Sequence, residues 1–231
     1  MRSRRVVGII GGMGPAATVE LMRRVVARTP AEDDEDHVHL IVDNNPQIPS
    51  RIAHLIDRTG PDPTPELQRM ARGLESAGAE ALAMPCNTAH RYADAIRAAV
   101  SIPLLDMVAL TARQIATRFT GARVGLLASS AVLDTGVYAR AFEATACTLR
   151  VSASQPGIMQ VIRDVKRGGS LPEISRRFAP MAGALAAESD VLLIACTELS
   201  MLAEALAVRV SVVDSMDVLT EAIVAFANPT Q

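Results

Sequence analysis

Apolar positions along the chain follow two alternating rhythms. Short β-branched or aliphatic runs at 5–10, 38–43, 79–84, 102–105, 122–128, 148–152, 190–195 and 209–213 predict strands. Longer amphipathic stretches at 15–28, 63–77, 88–99, 107–118, 156–167, 171–187, 198–206 and 215–227 predict helices between them. Regular alternation of the two means crossover connections, hence parallel sheets with helices on both faces: an α/β fold. Turn residues agree, with Thr59-Gly60-Pro61-Asp62-Pro63 ahead of one helix and Arg167-Gly168-Gly169-Ser170 between two others. The acidic run Glu32 to Asp36 reads as a solvated loop.

The pattern also repeats. Val6-Val7-Gly8-Ile9-Ile10 before a glycine loop has a counterpart in Arg123-Val124-Gly125-Leu126-Leu127 before Ala128-Ser129-Ser130. Ala81 to Thr88 matches Val191 to Glu198, placing Cys86 beside Cys196, and Ile102 to Asp106 matches Val210 to Asp214. Three features in one order predict two pseudo-symmetric α/β domains. The expected division is 1–105 plus 214–231 for the first domain and 106–213 for the second, with helix 215–227 packing back on the first half.

Composition narrows the function. The 231 residues are 49% hydrophobic, which excludes disorder, and a net charge of −2 with 3% aromatics leaves neither a basic field nor stacking surface for nucleic acid. No apolar run reaches the ~18–20 residues of a membrane helix. Ser3-Arg4-Arg5 faintly resembles a twin-arginine export signal, but a strand running into a glycine loop accounts for the same stretch better. Three widely spaced cysteines do not form a disulfide framework and point to a reducing cytoplasm.

In open parallel sheets, ligands bind outside the carboxyl ends of the strands, where both Cys86 and Cys196 fall. The positive end of a following helix is expected to favour thiolate at each. If the halves face each other across a cleft, the two thiols approach one molecule from opposite sides, as stereoinversion by two acid/base groups requires. The plainer reading makes both buried structural cysteines. Cys147 has no counterpart and reads as structural.

Four motifs carry a family resemblance: Gly8-Ile9-Ile10-Gly11-Gly12-Met13-Gly14-Pro15, Asp43-Asn44-Asn45-Pro46-Gln47-Ile48-Pro49-Ser50-Arg51, Met84-Pro85-Cys86-Asn87-Thr88-Ala89-His90 and Ala195-Cys196-Thr197-Glu198-Leu199. From about residue 5 to 226 the chain resembles the aspartate/glutamate racemase family. The resemblance implies cofactor-independent racemisation of a small acidic amino acid by two cysteines, with the active site between two α/β domains and a homodimeric assembly. By position, Cys86 and Cys196 match the catalytic bases. Asn87, Thr88 and Thr197 match the groups holding the α-carboxylate and amino group, and Asn45 with the Gly12-Met13-Gly14 loop supplies further polar contacts. Arg51 matches the side-chain carboxylate binder and Lys166 a basic residue from the second domain. Glu198 and Ser129 complete the candidate substrate-binding set.

Two positions depart from the family pattern: Ile162 where tyrosine is frequent, and Val132 where a second hydroxyl often follows Ser129. Both make the distal pocket less polar, so aspartate against glutamate stays open. Lys166 is the one lysine among 22 arginines, which leaves a single candidate for the Schiff base of a pyridoxal enzyme. Three rival readings exist. Gly12-Met13-Gly14-Pro15-Ala16-Ala17 with Asp43 fits a dinucleotide-dependent oxidoreductase loosely, but Asp43 lies 29 residues past Gly14 rather than ~20. A two-lobed small-acid binding protein without catalysis would share the fold and leave the paired thiols idle. His37-x-His39 lacks a third metal ligand of convincing spacing; His54 and His90 carry no chemical assignment, although His90 belongs to the matched motif and is placed to orient a neighbour near Cys86.

Overall fold

The computed structural model describes residues 4–228; Ser3 of the export-like motif lies outside them. The chain divides into two compact units, Met1–Met107 with Met216–Gln231, and Val108–Ser215.

The first unit runs β1 (Val7–Gly11), α1 (Pro15–Arg28), β2 (Leu40–Asn44), α2 (Arg51–Leu55), α3 (Thr64–Ser76), β3 (Ala81–Ala83), α4 (Ala93–Arg97) and β4 (Leu104–Leu105). Its four strands are all parallel, in the order β2-β1-β3-β4. α5 (Met107–Arg118) leads into the second unit: β5 (Arg123–Ala128), α6 (Ser130–Thr135), α7 (Val137–Phe142), β6 (Thr148–Val151), α8 (Gln155–Lys166), α9 (Leu171–Ala187), β7 (Val191–Ala195), α10 (Thr197–Ser200) and β8 (Ser211–Asp214). These strands are again parallel, in the order β6-β5-β7-β8. The internal repeat is thus a repeat of topology. α11 (Ser215–Ala227) closes the chain.

The apolar pattern explains the layers. Every residue of β1 and β7 is buried, as for central parallel strands covered on both faces, while the edge strands β2 and β6 are partly exposed. α11 sends Met216, Leu219 and Ile223 into a core cluster with Val7, Ile9, Leu21 and Val25 of β1 and α1. Arg24 of α1, its side chain 10% exposed, pairs with Glu20 at 2.7 Å and with Asp217 of α11 at 3.0 Å. Buried between two carboxylates, that guanidinium fixes where α11 lies on α1.

Two expected helices are broken. Stretch 88–99 forms a 3-10 turn, Thr88–Tyr92, and then α4, while 198–206 reduces to α10 and a 3-10 turn at Ala203–Ala205. Three short helices went unanticipated: α2, α6 and α7. The acidic run forms an exposed 3-10 turn at Asp34–Asp36, capped by Asp33.

The topology positions the site. From β1 the chain goes to β2 on one side, and from β2 it crosses to β3 on the other, so the carboxyl ends of β1 and β3 flank a switch point. The loop Gly12–Gly14 follows β1, and Cys86 follows β3. In the second unit Ser129 follows β5 and Cys196 follows β7, with Ala128 and Ala195 in register as strand partners.

Candidate active site

In the first unit, the loop after β1 is drawn tight. Gly12 has φ +94°, and a Cβ there would lie 2.1 Å from the Asn45 carbonyl oxygen, so only glycine lets the two loops approach. Thr18 of α1 latches the loop: its Oγ1 accepts the Gly12 N–H at 2.9 Å and donates to the Gly14 carbonyl at 3.3 Å. The Gly12 N–H is therefore committed inside the protein rather than offered to a phosphate or carboxylate. Met13 is buried in the same apolar cluster as Cys86. The Asn45 amide is likewise engaged, donating to Glu66 at 2.7 Å and accepting the Gln47 N–H at 2.9 Å.

Cys86 is 8% exposed and is set by its neighbours. The buried His90 ring bridges two backbone groups. Its Nε2 accepts the Met107 N–H at 3.1 Å, so Nδ1 carries the proton and donates to the Cys86 carbonyl at 2.9 Å. Burial first, with an opposing pull from Asp106, lowers the His90 pKa. The neutral ring is a brace for the loop that carries the thiol. The second unit repeats the device with different chemistry: Ser200, also four residues after its cysteine, donates to Asp214 at 2.6 Å and lies 3.4 Å from the Cys196 carbonyl. Asp106 and Asp214 are the equivalent aspartates of the repeat.

Arg51 opens α2, just past the Ser50 cap, and Nη1 donates to the carbonyls of Ile48 at 3.2 Å and Pro49 at 2.9 Å. Among the described residues its other guanidinium nitrogens have no hydrogen-bond partner, and they are suited to a carboxylate. Asn87 is buried and Thr88 half-buried at the turn that follows Cys86.

The second unit holds a thiol–carboxylate–ammonium chain. Cys196 is 6% exposed and its Sγ donates to Glu198 Oε2 at 3.0 Å. Glu198 Oε1 lies 3.5 Å from Lys166 Nζ, at the end of α8. Burial, and then the Glu198 charge, pushes the Cys196 thiol well above its ordinary pKa, and Lys166 offsets this in part. This corrects the expectation that a helix N-terminus makes Cys196 a thiolate: α10 has four residues, and a carboxylate in contact with the sulfur outweighs so short a dipole. Thr197 is buried, and Ser129 caps α6 by accepting the Val132 N–H at 3.3 Å. Ile162 and Val132 are both buried, Ile162 in the cluster that holds Cys196.

Sequence reasoning missed Thr18, the bracing role of Ser200 and the attachment of Lys166 to Glu198; the orienting role expected of His90 near Cys86 takes the form of a brace on the Cys86 carbonyl. Position i+4 from each cysteine was the available signal for the braces. The Cys147 thiol donates to the Phe119 carbonyl at 3.4 Å. Among the described residues no three His, Cys, Asp or Glu side chains gather as a metal site, and no helix is long and apolar enough to cross a membrane. A hollow of about 500 Å3 beside α9, lined by Leu171, Arg176, Met201 and Glu204 among others, contains none of the candidate residues.

Comparison with known proteins bears on this geometry. Residues 10–223 match the family described as Asp/Glu/Hydantoin racemase. An aspartate racemase of Picrophilus torridus superposes with a TM-score of 0.86 at 30% identity, covering 96% of this chain and 94% of that one. A glutamate racemase of Bacillus anthracis shares the fold, with a TM-score of 0.63 at 19% identity over 96% of this chain and 81% of that one. The broad specificity amino-acid racemase RacX of Bacillus subtilis (strain 168) is 23% identical over 219 residues, 91% of this chain and 92% of its own length.

Proposed function

We propose a reaction from one premise: the chain belongs to the Asp/Glu/Hydantoin racemase family and is an amino-acid racemase. The substrate in this proposal is aspartate, with glutamate as the alternative acid. Racemisation needs a proton removed from one face of the α-carbon and another delivered to the opposite face. Cys86 and Cys196 are the two groups, one thiolate and one thiol at any moment, and neither pyridoxal phosphate nor a metal takes part. A single observation supports this most: equivalent cysteines stand at the equivalent switch points of two sheets of identical topology.

The protonated state of Cys196 sets the order of events. Resting as a thiol, it is the proton donor, while Cys86 as thiolate removes the α-proton of the enantiomer presented to it. In the reverse direction Cys196 must first lose its proton, and Glu198 Oε2, already its acceptor at 3.0 Å, receives it. Glu198 thus acts on the thiol rather than on the substrate. Lys166 neutralises the resulting charge cluster and, half-exposed, can also meet the substrate side-chain carboxylate with Arg51. Asn87, Thr88 and Thr197 hold the α-carboxylate and amino group, where donors stabilise the negative charge that develops as the proton leaves. Ser129 adds a hydroxyl at the second switch point. Exclusion of water around the bound substrate would strengthen these contacts.

A cytoplasmic location and a homodimer belong to the same proposal; light scattering of the purified chain should give the mass of two copies. The test of the reaction is incubation of L- and D-aspartate and glutamate in heavy water. Deuterium at the α-carbon with loss of optical purity is expected, and absence of both for all four compounds overturns the reading.

A further inference from the structure

Tyr92 is a buried hydroxyl with nothing to bond. It is 7% exposed, and among the described residues its Oη has neither solvent access nor a hydrogen-bond partner. Leaving such a group unmatched costs about 1–3 kcal/mol, so a phenylalanine would serve packing alone better. Tyr92 ends the turn that begins just after Cys86, and its side chain belongs to the apolar cluster of Cys86, Met13 and Ile48. The ring of His54 lies 6.3 Å away. Arg51, with its partly uncommitted guanidinium, stands three residues before His54 on α2, and its charge, like that of Asp62, acts on the phenol.

We propose that Tyr92 is a specificity-determining residue, its hydroxyl donating a hydrogen bond to the side-chain carboxylate of the acidic amino acid that Arg51 pairs with. Burial and the Asp62 charge push the phenol up to about 12, so it is a donor at every working pH. A neutral donor beside a cation suits a carboxylate: the pair supplies hydrogen bonds to both oxygens without adding charge to a pocket that also holds a thiolate. An amino acid with an apolar side chain would leave Oη unmatched and the guanidinium unpaired, which is a penalty against it. The inference rests on the racemase reading and names the subsite that selects its substrate class.

Tyr92→Phe is the test, since it removes one oxygen and keeps the ring. Racemisation of aspartate and glutamate by both chains, together with thermal unfolding without substrate, separates the outcomes. The variant should show KM raised about 10-fold with kcat little changed, and an unfolding temperature equal to or above that of the parent, because no bond is lost in the free protein. Combining it with Arg51→Lys should give a non-additive KM, as expected when both groups meet one carboxylate. An unchanged KM overturns the inference and leaves the racemase reading standing, and a lowered unfolding temperature overturns it by showing a structural bond. A parent chain that racemises neither acid overturns both.

Discussion

Changing Glu198 to Gln separates two roles that a carboxylate beside a thiol can play. As a charge, Glu198 opposes ionisation of Cys196; as a proton acceptor 3.0 Å from Sγ, it is the proposed route by which the thiol ionises. The amide keeps the shape and abolishes both. A hydrogen bond to a charged group contributes about 1.5–3 kcal/mol, or about 10- to 150-fold in rate at 1.4 kcal/mol per decade. Removing a general base costs about 10²–10⁴-fold, so a fall of about 100-fold or more in kcat/KM is expected. Because the enantiomers have equal free energy, the fall must be the same in both directions. Alkylation of Cys196 by iodoacetamide gives the second readout. In the parent its rate stays low at neutral pH and rises only in alkaline solution, whereas in Glu198→Gln the midpoint moves to lower pH because the anion is gone. A thiol that ionises more readily in a slower enzyme is the signature of a proton acceptor. Racemisation at the parental rate, or an alkylation profile that does not move, would refute the reasoning.

Other consequences follow from named contacts. His90→Ala leaves the Cys86 carbonyl and the Met107 N–H without their side-chain partner and should cost about 2–5 kcal/mol in denaturant unfolding. Burial lowers the His90 pKa, so the unfolded chain binds a proton that the folded chain refuses. His90 therefore has no unfavourable effect above about pH 6.5, and stability is lost as the pH falls below it; a parent whose acid-limb stability matches that of His90→Gln would contradict this. Gly12→Ala places a methyl 2.1 Å from the Asn45 carbonyl oxygen at φ +94° and should cost more than about 2 kcal/mol, with a lower melting temperature and impaired turnover. Lys166→Ala removes the cation that offsets Glu198, so the Cys196 alkylation midpoint should move up while KM for acidic substrates rises.

Much of this arrangement was legible in the residues. All eight strands were anticipated, because each is a dense apolar run between turn signals, and helices 15–28, 107–118, 171–187 and 215–227 have the expected ends. α2, α6 and α7 have five or six residues, too few for periodicity to register. For α2 and α6 the signals were local, the Ser50 and Ser129 caps. The two cysteines were found as a pair because the repeat aligns them. The protonation of Cys196 was not legible, since it depends on a turn that brings the i+2 carboxylate of Glu198 onto its sulfur. The Gly12–Gly14 loop was legible as a source of polar contacts; the Thr18 latch that takes up the Gly12 N–H becomes visible only once α1 is folded against it. Lys166, singled out by composition and by the family resemblance, ends on the same carboxylate as the thiol.

In the proposed reaction two thiols, one from each unit, exchange protons with one α-carbon. The most direct measurement is chiral analysis of L- and D-aspartate after incubation with the parent chain, Cys86→Ala and Cys196→Ala. The parent should bring either enantiomer to an equal mixture, and each single variant should leave both optically pure. A variant lacking one cysteine that still equilibrates the enantiomers would contradict the account.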